Sequence, residues 1–307
     1  MAENTAIAWT THTFSPWWGC TKVGPGCDNC YADALDRRWG GAHWGAGVPR
    51  RLVKDWSKPR KWNRDAALSG ERPWVFCASM ADVFDNEVDP LWRARLWDLV
   101  RECRNLRWQF VTKRIGNVRK MLPHDWNENF GHCGLLISVV NQEEANRDIP
   151  KLLATPAAWR GLSMEPLLGR VDLTHLETAG DGELNALTGL WATCPIVQAG
   201  RRIVMTTANL PPLDWVIVGG ESGHNARALS PNWVRALRDQ CAAHGVPFFF
   251  KQWGEFAPVH ETRAGEPGIA GRLWVNFDPD TAVCRIGTKA AGRRLDGVEH
   301  DAMPRAA

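Results

Sequence analysis

A chain of 307 residues, 44% hydrophobic and 23% charged, can bury a large core and is too mixed in composition for a fibrous or low-complexity protein. Its net charge of +3 is too slight to mark a polyanion-binding protein by charge alone. No apolar run reaches the ~18 residues of a spanning helix, so no membrane partner is expected.

The N-terminal Met1-Ala2-Glu3-Asn4 lacks the basic-then-apolar pattern of a signal peptide, and a reducing, cytoplasmic setting is the expectation. Nine cysteines in that setting point to metal binding or buried thiols and away from a disulfide framework. Eighteen tryptophans stand against a single tyrosine. They suit large buried aromatic surfaces, and codon bias in a GC-rich genome gives the same count.

In chain order, the first distinctive stretch is Trp17-Trp18-Gly19-Cys20-Thr-Lys-Val-Gly-Pro-Gly26-Cys27-Asp-Asn-Cys30-Tyr31. Gly24, Pro25 and Gly26 allow the loop to fold back, so the thiolates of Cys20, Cys27 and Cys30 are expected to converge on one point. The other six cysteines are scattered. Three readings stand: a cluster with one iron left open, a structural zinc site closed by a fourth ligand such as His12, or unligated thiols.

Next comes a basic stretch: Arg50, Arg51, Lys54, Lys58, Arg60, Lys61 and Arg64, interleaved with Trp56 and Trp62. Cations beside flat rings suit a single-stranded nucleic acid or a nucleotide. A solvated helix face balanced by Asp55 and Asp65 explains the same residues.

From there, short apolar runs alternate with amphipathic stretches. The runs are Trp74–Ser79, Trp108–Lys113, Leu135–Val140, Gly161–Glu165, Trp215–Gly219 and Val246–Lys251. Two helices are read between them, one over Leu91–Val100 and one over Trp233–Cys241 opened by Ser230-Pro231. Near-continuous apolar strands alternating with helices predict α/β architecture, a partial or full parallel β/α (TIM-like) barrel over residues 1–256. A doubly wound open sheet is the alternative, weakened because no Gly-x-Gly-x-x-Gly follows the first strand. Residues 176–212 are read as a loop-like insertion and 257–307 as an irregular tail packed on the barrel.

Each run ends in groups that bind or ionise: Ser79 and Asp82; Thr112, Lys113 and Arg114; Ser138 and Asn141; Ser163 and Glu165; Glu221 and Ser222; Lys251 and Gln252. In a barrel those ends carry the chemistry. Gly219 and Gly220 would let a ligand approach the backbone closely. Lys113 and Lys251 would pair with a carboxylate or phosphate, or would form ion pairs with Glu165 or Asp82 that brace the barrel mouth.

Several segments together resemble one known family. They are Pro16–Cys20, Cys27–Ala32, Ser79–Phe84, Thr112–Arg114, Glu165–Gly169, Gly219–Gly223, Lys251–Gly254 and Gly287–Arg293. The family is a bacteriophage-associated group of radical S-adenosylmethionine-like proteins with a three-cysteine motif, distantly similar to spore photoproduct lyase. The resemblance implies a radical SAM-type barrel and an enzyme whose [4Fe–4S] cluster sits on Cys20, Cys27 and Cys30 and cleaves S-adenosylmethionine reductively. It implies Gly219, Gly220, Glu221, Ser222, Ser79 and Lys251 for the cofactor, with Glu221 meeting the methionyl amine. Lys113, Glu165 and Asp82 would be catalytic or positioning residues, and a companion protein is a further implied partner. Six residues separate Cys20 from Cys27, a longer spacing than in the common motif. A metal-stabilised nucleic-acid- or protein-binding protein without turnover is the reading from another class.

Overall fold

The computed structural model describes residues 2–178, 182–198, 201–259 and 268–304. Its contacts divide the chain into two compact units. The first spans Met1–Ser138 with Thr155–Trp159. In chain order it holds β1 (His12–Phe14), β2 (Trp17–Trp18), α1 (Tyr31–Arg38), β3 (Arg51–Leu52), α2 (Ser57–Ser69) and β4 (Trp74–Cys77). There follow α3 (Pro90–Glu102), β5 (Arg107–Thr112), α4 (Ile115–Met121), α5 (Trp126–Asn129) and β6 (Cys133–Ile137).

The second unit, Val139–Ala154 and Arg160–Arg305, holds α6 (Gln142–Leu153) and nearly all of β7 (Trp159–Met164). Four strands come next: β8 (Leu176–Thr178), β9 (Gly182–Asn185), β10 (Leu190–Gln198) and β11 (Arg201–Asn209). Then follow β12 (Trp215–Gly219), α7 (Pro231–His244), β13 (Phe248–Gln252), β14 (Phe256–Ala257), β15 (Trp274–Asp278) and β16 (Thr281–Arg285). The last elements are α8 (Thr288–Ala291), β17 (Arg294–Leu295) and β18 (Val298–Glu299).

Six of the seven strands in the main sheet are the apolar runs read from the sequence; the added one is β1. The strand order is β1-β4-β5-β6-β7-β12-β13, and β1–β4, β4–β5, β5–β6, β7–β12 and β12–β13 all pair in parallel. The order follows the chain without reversing. A doubly wound sheet must reverse its order at a switch point, so that alternative is excluded. β1 and β13 stand at the two ends of the order, so the sheet is of the partial-barrel kind and is not closed. Every residue of β6, β7 and β12 is buried, which is why those runs carry almost no polar residues.

Local chemistry explains the helices. Asp89 caps α3 by accepting from the Leu91 N–H at 2.8 Å, with Pro90 in the first turn. Leu96, Trp97, Leu99 and Val100 then face inward while Leu91 is 76% exposed. α7 begins after Ser230 with Pro231, as expected, and ends on Gly245 in the left-handed region.

The tryptophans are core material. Trp17, Trp62, Trp108, Trp215 and Trp253 are among the largest fully buried side chains. Indole N–H groups also pin chain turns: Trp56 donates to the Val53 carbonyl (2.7 Å) and Trp97 to that of Met121 (3.0 Å).

Two stretches are more ordered than their patterns suggested. Residues 176–212, read as loop-like, carry an antiparallel sheet in the order β11-β10-β9-β8. Residues 257–307, read as an irregular tail, carry β15 and β16, which form a sheet with β14, and the β17–β18 hairpin. β8, β9 and β15 to β18, at two to five residues each, are too short to show a period of two. The final segment also runs along β13: the Phe250 N–H donates to the His300 carbonyl (2.9 Å) and Phe249 bridges Asp301. Trp215 donates its indole N–H to Ala302 (2.8 Å) and Trp253 to Arg294 (2.7 Å).

Candidate functional site

The cysteine loop leaves β2 through Gly19, whose φ is +109°. A Cβ there would lie 2.3 Å from the His43 carbonyl oxygen, so the position requires glycine. The Gly19 N–H donates to the Met80 carbonyl (3.1 Å), tying the loop to the turn after β4. Pro25–Cys27 form one tight turn, closed by the Cys27 N–H on the Gly24 carbonyl (2.9 Å), and Cys30 opens α1. Cys20, Cys27 and Cys30 are all free and half-buried.

All three line one half-open cavity of the first unit. Tyr31, Trp44 and Phe76 supply aromatic surface, and Ser79, Asp82, Thr112, Lys113, Arg114 and Ser138 bring polar groups from the ends of β4, β5 and β6.

Among the described residues no three His, Cys, Asp or Glu side chains are grouped so as to hold a metal ion. Cys20, Cys27 and Cys30 share one cavity lining. A tetrahedral zinc needs its ligands to meet around a single ion, whereas a cubane takes each thiolate on a different iron. His12, the candidate fourth zinc ligand, accepts from the Asn4 N–H (3.2 Å) and stacks on Trp62 with centroids 4.3 Å apart. It does not line the cavity. His43 is held by Asp36 at 2.9 Å. The donor set present fits a three-thiolate cluster better than a closed zinc site.

Behind Cys20 lies a buried charge network. The Arg114 guanidinium donates to Cys20 Sγ (3.3 Å), Asp82 Oδ2 (3.2 Å) and the Thr21 carbonyl (2.6 Å). Asp82 also accepts from Thr112 Oγ1 (2.8 and 2.9 Å) and the Lys113 N–H (3.2 Å). Its carboxylate is thus committed to fixing Arg114 and the end of β5. The Lys113 ammonium, by contrast, has no partner among the described residues. Burial, reinforced by Asp82, pushes the Cys20 thiol up to about 12, while Arg114 works in the opposite direction. Burial opposes the charge of Arg114, but Asp82, Cys20 and Asp85 more than offset it and its pKa is raised.

A second network anchors the loop from the other side. Arg50, 1% exposed at its side chain, pairs with Asp85 (2.8 Å) and donates to Thr21 Oγ1 (2.6 Å) and the Gly45 and Val48 carbonyls (3.0 and 2.9 Å). Gly45 in turn donates to the Cys20 carbonyl (3.0 Å). Tyr31 donates its hydroxyl to the Ser79 carbonyl (2.6 Å), and Ser79 Oγ lies 3.2 Å from Ser15 Oγ.

The second unit carries the remaining expected residues. Lys251 Nζ donates to Glu165 Oε2 at 2.8 Å, the bracing ion pair, while the buried Glu165 Oε1 has no hydrogen-bond partner among the described residues. Glu221 accepts from Arg227 at three points, 2.7, 2.8 and 3.0 Å, so its carboxylate is already matched by a guanidinium. Ser222 accepts from the Gln252 amide (3.0 Å). The two glycines differ. A Cβ on Gly220 would lie 1.8 Å from the Trp253 carbonyl oxygen, so Gly220 serves a close crossing of two backbones. A Cβ on Gly219 would meet the Glu165 side chain at 3.3 Å. Asn141 caps α6, accepting from the Glu144 N–H (2.9 Å).

Three cations of the basic stretch, Arg50, Arg60 and Lys61, are tied to acidic side chains. Trp56 and Trp62 are 3% and 2% exposed and offer no face to a base. Arg60 pairs with Glu102, and Lys61 with Glu3 and Asp65. Tyr31, Trp44 and the pinning role of Arg50 were not singled out by sequence reasoning. The one available signal was that Tyr31 is the chain's sole tyrosine, directly after the third cysteine.

Among the described residues no helix is long and apolar enough to cross a membrane. A family described as "Protein of unknown function (DUF5131)" matches residues 4–304. No curated protein matches. Among solved structures, a spore photoproduct lyase double mutant with bound AdoMet and dinucleoside spore photoproduct aligns at 12% identity and a TM-score of 0.39. That alignment covers 88% of this chain and 67% of the other, a likeness too loose to carry chemistry across.

Proposed function

The chain belongs to the DUF5131 family, and from that premise we propose that it is an iron–sulfur enzyme acting on S-adenosylmethionine at the Cys20–Cys27–Cys30 cavity. The observation that carries this reading is the shared cavity itself. Three free, half-buried thiols line it with no histidine beside them, next to aromatic walls and an unpartnered ammonium.

Cys20, Cys27 and Cys30 would hold a [4Fe–4S] cluster. Such a cluster, with S-adenosylmethionine, would supply one-electron reductive cleavage of the sulfonium and the hydrogen abstraction that follows from it. The chain's own residues orient and exclude. Arg114, fixed by Asp82, donates to the Cys20 sulfur and lowers the cost of its negative charge. Lys113 offers a cation to a carboxylate or phosphate. Tyr31, Trp44 and Phe76 give apolar surface for a flat ring, and Ser79 and Ser138 add hydrogen-bonding groups. Within the second unit, Glu165, Lys251, Gly219 and Ser222 are proposed as ligand-binding groups of that unit, while Glu221 and Gly220 serve the fold.

Anaerobic purification followed by metal and sulfide analysis tests this. The expected result is a brown protein with about four irons and four sulfides per chain, releasing 5′-deoxyadenosine with dithionite and S-adenosylmethionine. Cys20→Ala, Cys27→Ala and Cys30→Ala should each abolish release, whereas Cys241→Ala should not. A colourless, zinc-loaded protein would instead favour a metal-stabilised binder without turnover.

A further inference from the structure

Away from the cysteine cavity, β2 and β3 form an antiparallel ribbon in which Trp17 is paired with Leu52 and Trp18 with Arg51. Alternation along β2 buries Trp17 and turns Trp18 outward, half-buried. Its cross-strand partner Arg51 lays a guanidinium over the Trp18 ring, 4.9 Å from the centroid. Trp39, 58% exposed at the end of α1, brings a second ring to 5.2 Å from Trp18, tilted by 33°. Trp18, Arg51, Leu52, Val53 and Lys54 line an open cleft. Arg38, Arg51 and Lys54 are exposed, and among the described residues none of the three has an acidic partner.

We propose that this face binds single-stranded nucleic acid, with Trp18 and Trp39 stacking on bases and Arg38, Arg51 and Lys54 meeting phosphates. Two tryptophans left partly in water form an apolar patch that nothing in the described chain covers. Uncompensated Arg51 and Lys54 stand at it and Arg38 precedes Trp39 on the chain, so the complementary ligand presents flat faces joined by anions. Two of the tryptophans that interleave the basic stretch in sequence, Trp56 and Trp62, are buried; the exposed rings come from β2 and α1 instead. The surface uses none of the cysteines, so it stands or falls independently of the cluster.

The test is titration of the purified full chain with an oligothymidylate, followed by tryptophan fluorescence and by anisotropy of a labelled strand. Three phosphate contacts give affinity falling about 20-fold between roughly 50 and 200 mM salt. Trp39→Ala, at a position exposed enough to leave the melting temperature unchanged, should weaken binding by about 5-fold or more. Arg51→Glu should weaken binding and flatten the salt dependence. Arg64→Glu, an exposed cation on α2 that neither lines the cleft nor stacks on its rings, should change affinity far less than Arg51→Glu. Absence of binding at the lower salt overturns the proposal and leaves the face to a protein partner. Equal losses in Arg51→Glu and Arg64→Glu, or full affinity in Trp39→Ala, also overturn it.

Discussion

Replacing Asp85 by alanine should strand a charge. The Arg50 and Asp85 side chains are 1% and 2% exposed, and their 2.8 Å contact is the closest acidic neighbour the guanidinium has. Glu87 lies 3.4 Å away but is 32% exposed, so it compensates only in part. Removing one partner of a buried pair costs about 3–5 kcal/mol, because the other charge stays buried without its counterion. At about 2–4 °C per kcal/mol for domains of this size, the melting temperature should fall by roughly 6–20 °C.

Calorimetry of Asp85→Ala measures the loss. The double variant Arg50→Met with Asp85→Leu should lose less than the two singles summed, by about 0.5–3 kcal/mol. Because Arg50 also holds Thr21 and the carbonyl of Gly45, folded Asp85→Ala should take up iron less completely at low temperature. A melting temperature within about 2 °C of wild type would refute the reasoning. It would mean that water or Glu87 solvates Arg50 in place of Asp85.

Two further outcomes follow from contacts already described. Gly220→Ala should yield little folded protein, since its Cβ would meet a backbone oxygen, whereas Gly219→Ala should fold, its neighbour being the Glu165 side chain. Soluble yield and melting temperature decide it, and equal behaviour of the two variants would contradict the close-crossing account of Gly220. Acid should destabilise the fold through His132, whose pKa burial lowers below its ordinary value. A neutral buried histidine adds stability above its unfolded pKa of about 6.5, and that contribution is lost as pH falls through the folded value. Melts at pH 7.5 and 5.5 should therefore diverge, and His132→Gln should narrow the gap; an unchanged gap would assign the acid sensitivity elsewhere.

The parallel sheet was legible because its strands are buried on both faces and so read as unbroken apolar runs. β1 escaped notice because His12 and Thr13 interrupt the pattern, although both are buried. The cysteine trio was legible from spacing and glycine content alone. What the spacing could not convey is that residues at the ends of β4, β5 and β6 line the same cavity. Charge was the poorest guide. Arg50 reads as one more cation in a basic run, yet its side chain is almost wholly buried, while Glu221 reads as a ligand group and is already matched by Arg227. Such pairings depend on residues distant in sequence or on loop geometry, neither of which a linear pattern encodes.

β13 is the last strand of the main sheet and carries three successive phenylalanines, Phe248 to Phe250. An uncovered outer strand of that composition is a template for self-association. Here the backbone around His300 and Asp301 shields it, with the Ala302 carbonyl taking the Trp215 indole proton. Deleting those few residues would thus trouble colloidal behaviour first: filaments or precipitates would form from chains whose cysteine cavity was still intact.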